Sequence, residues 1–148
     1  MTLVHLDVSY NNIEKLANST LPALKTLNAS NNQITQLNIA DLRELEDLNL
    51  ASNNLSYLFS QGSIENLPKL QKLNLAGNKI SKVEIVEGLE TNFKELRTLN
   101  LANNLFELVE DVTLFANVEI FEKLVDVNFD ENPFMSINKL KTADGGSY

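Results

Sequence analysis

Cysteine is absent from the 148 residues, which excludes disulfides, thiolate metal sites and a cysteine nucleophile and fits a reducing compartment. There is a single histidine, His5, and no glycine-rich phosphate loop, HExxH motif or calcium-loop spacing, so no constellation of nucleophile, base and orienting group assembles. Neither catalysis nor a cofactor or metal site is expected. No apolar run approaches the roughly 18 residues that a membrane span needs, and Met1-Thr2-Leu3-Val4-His5 lacks the basic stretch and apolar block of a secretion signal. An intracellular protein, cytoplasmic or cytoskeletal and without membrane insertion, is therefore expected. Basic residues are scarce: 12 face 20 acidic ones, and the net charge of −8 repels phosphate backbones, so nucleic acid is not an expected partner.

What the chain does have is repetition. The eleven-residue pattern LxxLxLxxNxL returns six times, as LVHLDVSYNNI, LKTLNASNNQI, LEDLNLASNNL, LQKLNLAGNKI, LRTLNLANNLF and LVDVNFDENPF. The copies start at residues 3, 24, 45, 70, 96 and 124, so the spacing grows from 21 to 28 residues. Each later copy has an apolar residue three places before it (Leu21, Leu42, Leu67, Phe93, Phe121), and each copy has another three places after it (Leu16, Leu37, Leu58, Val83, Val109, Ile137).

On these residues the stretch from 3 to about 137 resembles the leucine-rich-repeat family. The resemblance implies an α/β right-handed solenoid with six parallel strands on its concave face and turns or short helices on its convex face. The residues themselves explain why. The xLxLx core alternates with the two-residue period of a strand, which turns the leucines inward and their neighbours to the open side. The ninth place is always asparagine: Asn11, Asn32, Asn53, Asn78, Asn104 and Asn132. An amide just after the strand offers donors and an acceptor to backbone groups that the turn would leave buried and unpaired. These six read either as a ligand site or as a structural ladder, and the ladder is the favoured reading.

The return stretches of the first two repeats are too short for more than a turn or an extended run, whereas residues 58–69, 85–95 and 114–123 have room for one or two helical turns. Phe93, Phe106, Phe115, Phe121, Phe129 and Phe134 gather towards the C-terminal end and are expected to fill a wider core there. Asn132-Pro133-Phe134 reads as a stop, because proline cannot donate to a further ladder. One domain over 1–137 and a polar tail over 138–148 follow. The first repeat has no capping segment before it; either a longer protein continues it, or Leu3, Leu6, Val8 and Ile13 are covered by a partner or by self-association with a second copy. Sequons at Asn18, Asn28 and Asn54 are incidental triplets in an asparagine-rich chain, and Asp126, Asp130 and Glu131 read as a solvated acidic rim rather than a calcium site.

Function is expected on the open face. The third place of the pattern gives His5, Thr26, Asp47, Lys72, Thr98 and Asp126; the fifth gives Asp7, Asn28, Asn49, Asn74, Asn100 and Asn128; the seventh gives Ser9, Ser30, Ala51, Ala76, Ala102 and Asp130. Tyr10, Asp47, Asn49, Lys72, Asn74, Thr98, Asn100, Asp126 and Asn128 are the candidate residues for binding a partner protein or peptide, with the amides offering both donors and acceptors. The variable repeat length resembles the intracellular group that includes phosphatase regulatory subunits, dynein light chains and spindle-pole or centriolar scaffolds, which implies an adaptor or scaffold. The rival is a secreted or cell-surface recognition module.

Overall fold

The structure, a computed structural model, describes residues 2–17, 20–40, 42–58, 64–65, 67–83, 93–117 and 119–136. The tail over 138–148, Ile137, the Asn18 sequon and most of the return stretches at 58–69 and 85–95 lie outside the described residues.

Six short strands, one per repeat, form a parallel sheet in chain order: β1 (His5–Asp7), β3 (Thr26–Asn28), β5 (Asp47–Asn49), β7 (Lys72–Asn74), β8 (Thr98–Asn100) and β9 (Asp126–Asn128). The register pairs like places of the repeat. Leu6 lies beside Leu27, Leu27 beside Leu48, Leu48 beside Leu73, Leu73 beside Leu99, and Leu99 beside Val127. A one-residue slip would turn this apolar row to water, so the alternation fixes the register. Leu24, Leu45, Leu48, Leu50, Leu70, Leu96 and Leu101 are wholly buried, and a buried leucine of this kind contributes about 2 kcal/mol.

A second sheet was not foreseen. On the opposite side β2 (Lys15–Ala17), β4 (Gln36–Ala40) and β6 (Ile64–Glu65) pair in parallel, and a bridge joins Leu58 to Val83. Of the apolar residues three places after each copy, Leu16 and Leu37 are therefore strand residues, side by side in β2 and β4, and Leu58 and Val83 form the bridge; Ile39 lies beside Ile64 further along. Among the described residues of 58–69, where helical turns were expected, Leu58 forms the bridge, Ile64–Glu65 form strand β6 and 68–69 a turn. The longest return stretch holds a 3₁₀ helix, Val109–Ala116, which begins before the expected 114–123 segment. The Asp111 carboxylate accepts the N–H of Leu108 at 3.1 Å and so satisfies one donor at the helix start.

The eighth place of the pattern is in the left-handed backbone region in all six repeats: Tyr10, Asn31, Ser52, Gly77, Asn103 and Glu131 have φ between 52° and 67°. This turn ends each strand. Asparagine and glycine suit it; tyrosine, serine and glutamate occupy it against their preference.

The aromatic rings meet as a continuous cluster at the C-terminal end, Phe93 on Phe121, Phe121 on Phe115, Phe115 on Phe129, and Phe129 edge-on to Phe106 and Phe134, with centroids 5.4–6.2 Å apart. At the other end Leu6, Val8, Ile13 and Leu16 are only partly buried, and an apolar hollow of about 130 Å³ opens between Leu6 and Leu16 on one side and Leu24, Leu27, Ile39 and Leu42 on the other.

Candidate functional site

Five of the six ninth-place asparagines are buried, and each is bonded back to the preceding repeat. Asn32, Asn53, Asn78, Asn104 and Asn132 donate from Nδ2 to the carbonyls of Val8, Ala29, Leu50, Leu75 and Leu101 at 2.9–3.0 Å. Their Oδ1 atoms accept the N–H groups of Ile13, Ile34, Leu55, Ile80 and Phe106 at 3.0–3.2 Å. With every amide occupied inside the solenoid, these side chains have nothing to offer a ligand. Asn11 differs. It is exposed, and it reaches only the carbonyls of Val8 and Ser9 in its own repeat.

The fifth-place residues have a structural role that was not foreseen. The open-face amides were expected to present both donors and acceptors to a partner, and their oxygens each already accept a bond within the chain. Asn28, Asn49, Asn74, Asn100 and Asn128 each accept, at Oδ1, the backbone N–H two residues on, from Ser30, Ala51, Ala76, Ala102 and Asp130, at 2.8–3.1 Å. Asp7 does the same for Ser9 at 2.9 Å. This second row of caps shapes the turn that follows each strand. Its signal was present in the sequence as an Asx residue at the fifth place of every copy. Among the described residues the NH₂ groups of Asn49, Asn74, Asn100 and Asn128 make no bond within the chain, while that of Asn28 donates to Asp7 at 3.1 Å.

Eight of the nine candidate residues line one hollow of about 830 Å³ on the open face: Asp47, Asn49, Lys72, Asn74, Thr98, Asn100, Asp126 and Asn128. The hollow continues past the edge strand β9 to Val112, Phe129, Phe134 and Met135. Tyr10 is not part of it; it stands in the turn after β1, 80% exposed. Asp130, at the seventh place of the last repeat, also lines it, although strand alternation alone does not mark it as a binding candidate. His5 bonds Thr26 Oγ1 at 2.7 Å on the same face, and the two stand four and three strands away from Thr98.

Charge is distributed unevenly. The ion pairs Lys25–Glu46, Lys69–Glu44 and Lys123–Glu95, at 2.6–3.0 Å, all lie on the rim that leads into the strands. Hydrogen bonds from Lys69 and Lys123 hold the carboxyls of Glu44 and Glu95 below the usual carboxylate range, and the Ser9 hydroxyl and N–H do the same for Asp7. On the open face the pattern is the reverse. Asp47 and Lys72 are register partners in β5 and β7, yet no ion pair joins them. Among the described residues no group of three His, Cys, Asp or Glu side chains is placed to hold a metal ion, and no helix is long and apolar enough to cross a membrane.

Comparison with known proteins supplies the family. A family model described as leucine-rich repeats (two copies) matches residues 2–43 and 68–114, and a second described as leucine-rich repeat matches 34–80. No curated protein sequence matches the chain. Among solved structures, an internalin from Listeria monocytogenes is 24% identical, with a TM-score of 0.63 over 88% of this chain and 42% of that one. The leucine-rich-repeat domain of a Shigella effector is 22% identical, with a TM-score of 0.60 over 86% of this chain and 49% of the other. A leucine-rich-repeat protein from Leptospira interrogans is also 22% identical, with a TM-score of 0.60 over 86% of this chain and 37% of the other. At these identities the likeness is one of fold alone, and the chain spans less than half the length of each.

Proposed function

The chain belongs to the leucine-rich-repeat family, and on that premise we propose that it is a non-catalytic module that grips a partner protein or peptide on its concave sheet. Leucine-rich repeats generally mediate protein–protein interaction. The observation that carries the assignment to this face is the hollow of about 830 Å³ lined by third- and fifth-place side chains of four successive strands. A concave surface with convergent polar groups on a rigid sheet is a common form of binding site. The role is that of an adaptor or scaffold inside the cell; the repeat spacing, which drifts from 21 to 28 residues, supports the intracellular group over a surface module built on a constant repeat.

The test uses the third place, whose side chains at Lys72, Thr98 and Asp126 carry no bond within the chain. The variant with Lys72→Glu, Thr98→Arg and Asp126→Lys is expected to keep the circular dichroism and melting temperature of the parent while losing capture of the natural partner from native lysate. Capture that survives would move the binding site to the convex side.

A second contact surface is supported at the first repeat. Leu6, Val8 and Ile13 are partly exposed where their counterparts Leu27, Ala29 and Ile34 are buried, and Asn11 Oδ1 accepts no bond where its five counterparts each accept an N–H from a neighbouring repeat. Self-association there predicts a concentration-dependent sedimentation coefficient that Leu6→Lys abolishes. A strictly monomeric chain at high concentration would remove this reading and leave the concave one untouched.

A further inference from the structure

We infer that the concave face takes an extended peptide segment bearing two cationic side chains four residues apart, with a neutral or acidic residue midway between them; this rests on the concave-face reading above. The inference follows from which charges and hydrogen-bonding groups are already engaged. The ion pairs among the described residues sit on the rim, whereas the concave acids Asp47, Asp126 and Asp130 pair with no cation there. Lys72 stands between them, equally without an ionic partner. The face thus carries a net negative charge on a chain that is itself −8, so an acidic partner is repelled and a basic one attracted.

Spacing makes the partner more specific. From Asp47 on β5 to Asp126 on β9 there are three strand-to-strand steps, about 14 Å at the ordinary 4.7–4.9 Å per step. An extended peptide crossing the strands rises about 3.3 Å per residue and returns to the same side every second residue. Its residues i and i+4 therefore reach both aspartates, and residue i+2 falls over Lys72 and Thr98, where a cation is disfavoured and an acid or a hydroxyl fits. The free NH₂ groups of Asn49, Asn74, Asn100 and Asn128 run alongside as donors. Each Oδ1 already accepts one backbone N–H, whereas both N–H donors of each amide are unengaged, so the row favours carbonyl oxygens, which an extended backbone presents.

The probe is the synthetic peptide Gly-Ser-Arg-Ala-Asp-Ala-Arg-Ser-Gly, titrated against the full chain by fluorescence anisotropy at low and at physiological salt. It is expected to bind at least about tenfold more tightly than the counterpart with both arginines changed to glutamate and than the isomer with the arginines adjacent. In the chain, Asp126→Lys is expected to weaken it about tenfold, and the glutamate at the second arginine position is expected to restore binding to that variant. Equal binding of the arginine and glutamate peptides, or the absence of any reciprocal rescue, overturns the inference. The concave-face reading has its own readout: if the third-place triple variant loses the natural partner while the arginine peptide fails to discriminate, that reading stands and only the charge assignment falls.

Discussion

Asn78 donates from Nδ2 to the carbonyl of Leu50 at 3.0 Å, tying the fourth repeat to the third across 28 residues of sequence. The same amide reaches Leu75 and accepts the N–H of Leu55 at 3.0 Å, so one side chain satisfies main-chain groups on two repeats. Asn78→Ala leaves those buried groups without partners and is expected to cost about 1–3 kcal/mol. Asn11→Ala should cost little, because Asn11 is exposed and bonds only its own repeat. Thermal melts of the two variants check the contrast; equal shifts would contradict it.

How far this was legible in the sequence depends on the kind of signal. The inward leucines and the six concave strands were readable because alternation and register leave one arrangement that turns every Leu27-type residue inward. The second sheet was not. Leu16 shows a single apolar place and Leu37 only one step of alternation, to Ile39, too short a run to separate a strand from a turn, and it is pairing across repeats that makes them strand residues. The fifth-place asparagines were visible but their capping role was not, since a polar residue facing outward on a strand gives no sign that its oxygen turns back to the chain at Ala76 or Ala102. The left-handed eighth place was obscured because only Gly77, Asn31 and Asn103 carry its residue preference, while Tyr10, Ser52 and Glu131 do not.

That turn yields a prediction at Gly77, with φ at +67°. A Cβ there would meet Ser52 Oγ at 3.4 Å, an ordinary contact, so Gly77→Ala is penalised by backbone conformation rather than by collision. The expected loss is about 1 kcal/mol. Gly77→Asn should recover most of it, since asparagine already holds this conformation at Asn31 and Asn103. Denaturant midpoints for the two variants decide the matter; an alanine as stable as the parent would show that the turn tolerates any residue.

Stability should fall in acid. The folded chain holds Glu44, Glu95 and Asp7 below their ordinary values, through hydrogen bonds from Lys69, Lys123 and Ser9 respectively. The unfolded chain regains the ordinary values and binds more protons. Their contribution is therefore complete above the unfolded pKa values and is lost as the pH drops through the lowered folded values. The groups are exposed, so the slope is modest and weakens in high salt. Melting temperatures from about pH 6 to pH 3 should decline, and Glu44→Gln with Glu95→Gln should flatten the curve. An identical slope in that double variant would remove the ion pairs as its cause.

The third and fifth places of the concave strands face the same solvent, yet they should respond differently to mutation. Thr98 makes no hydrogen bond within the chain, and Thr98→Ala is expected to leave stability within about 0.5 kcal/mol of the parent. Asn74, its diagonal neighbour on β7, accepts the Ala76 N–H at 3.1 Å where the chain leaves the strand for the left-handed turn at Gly77. Asn74→Ala removes that cap and is expected to cost about 1 kcal/mol, whereas Asn74→Asp keeps the acceptor, as Asp7 does for Ser9, and should be tolerated. The aspartate variant also deletes one of the free amide donors, so it separates the two roles of this position: stability retained, with partner affinity reduced. If Asn74→Asp melts like Asn74→Ala, the Oδ1 bond contributes nothing to the turn, and the amide row belongs wholly to the binding surface.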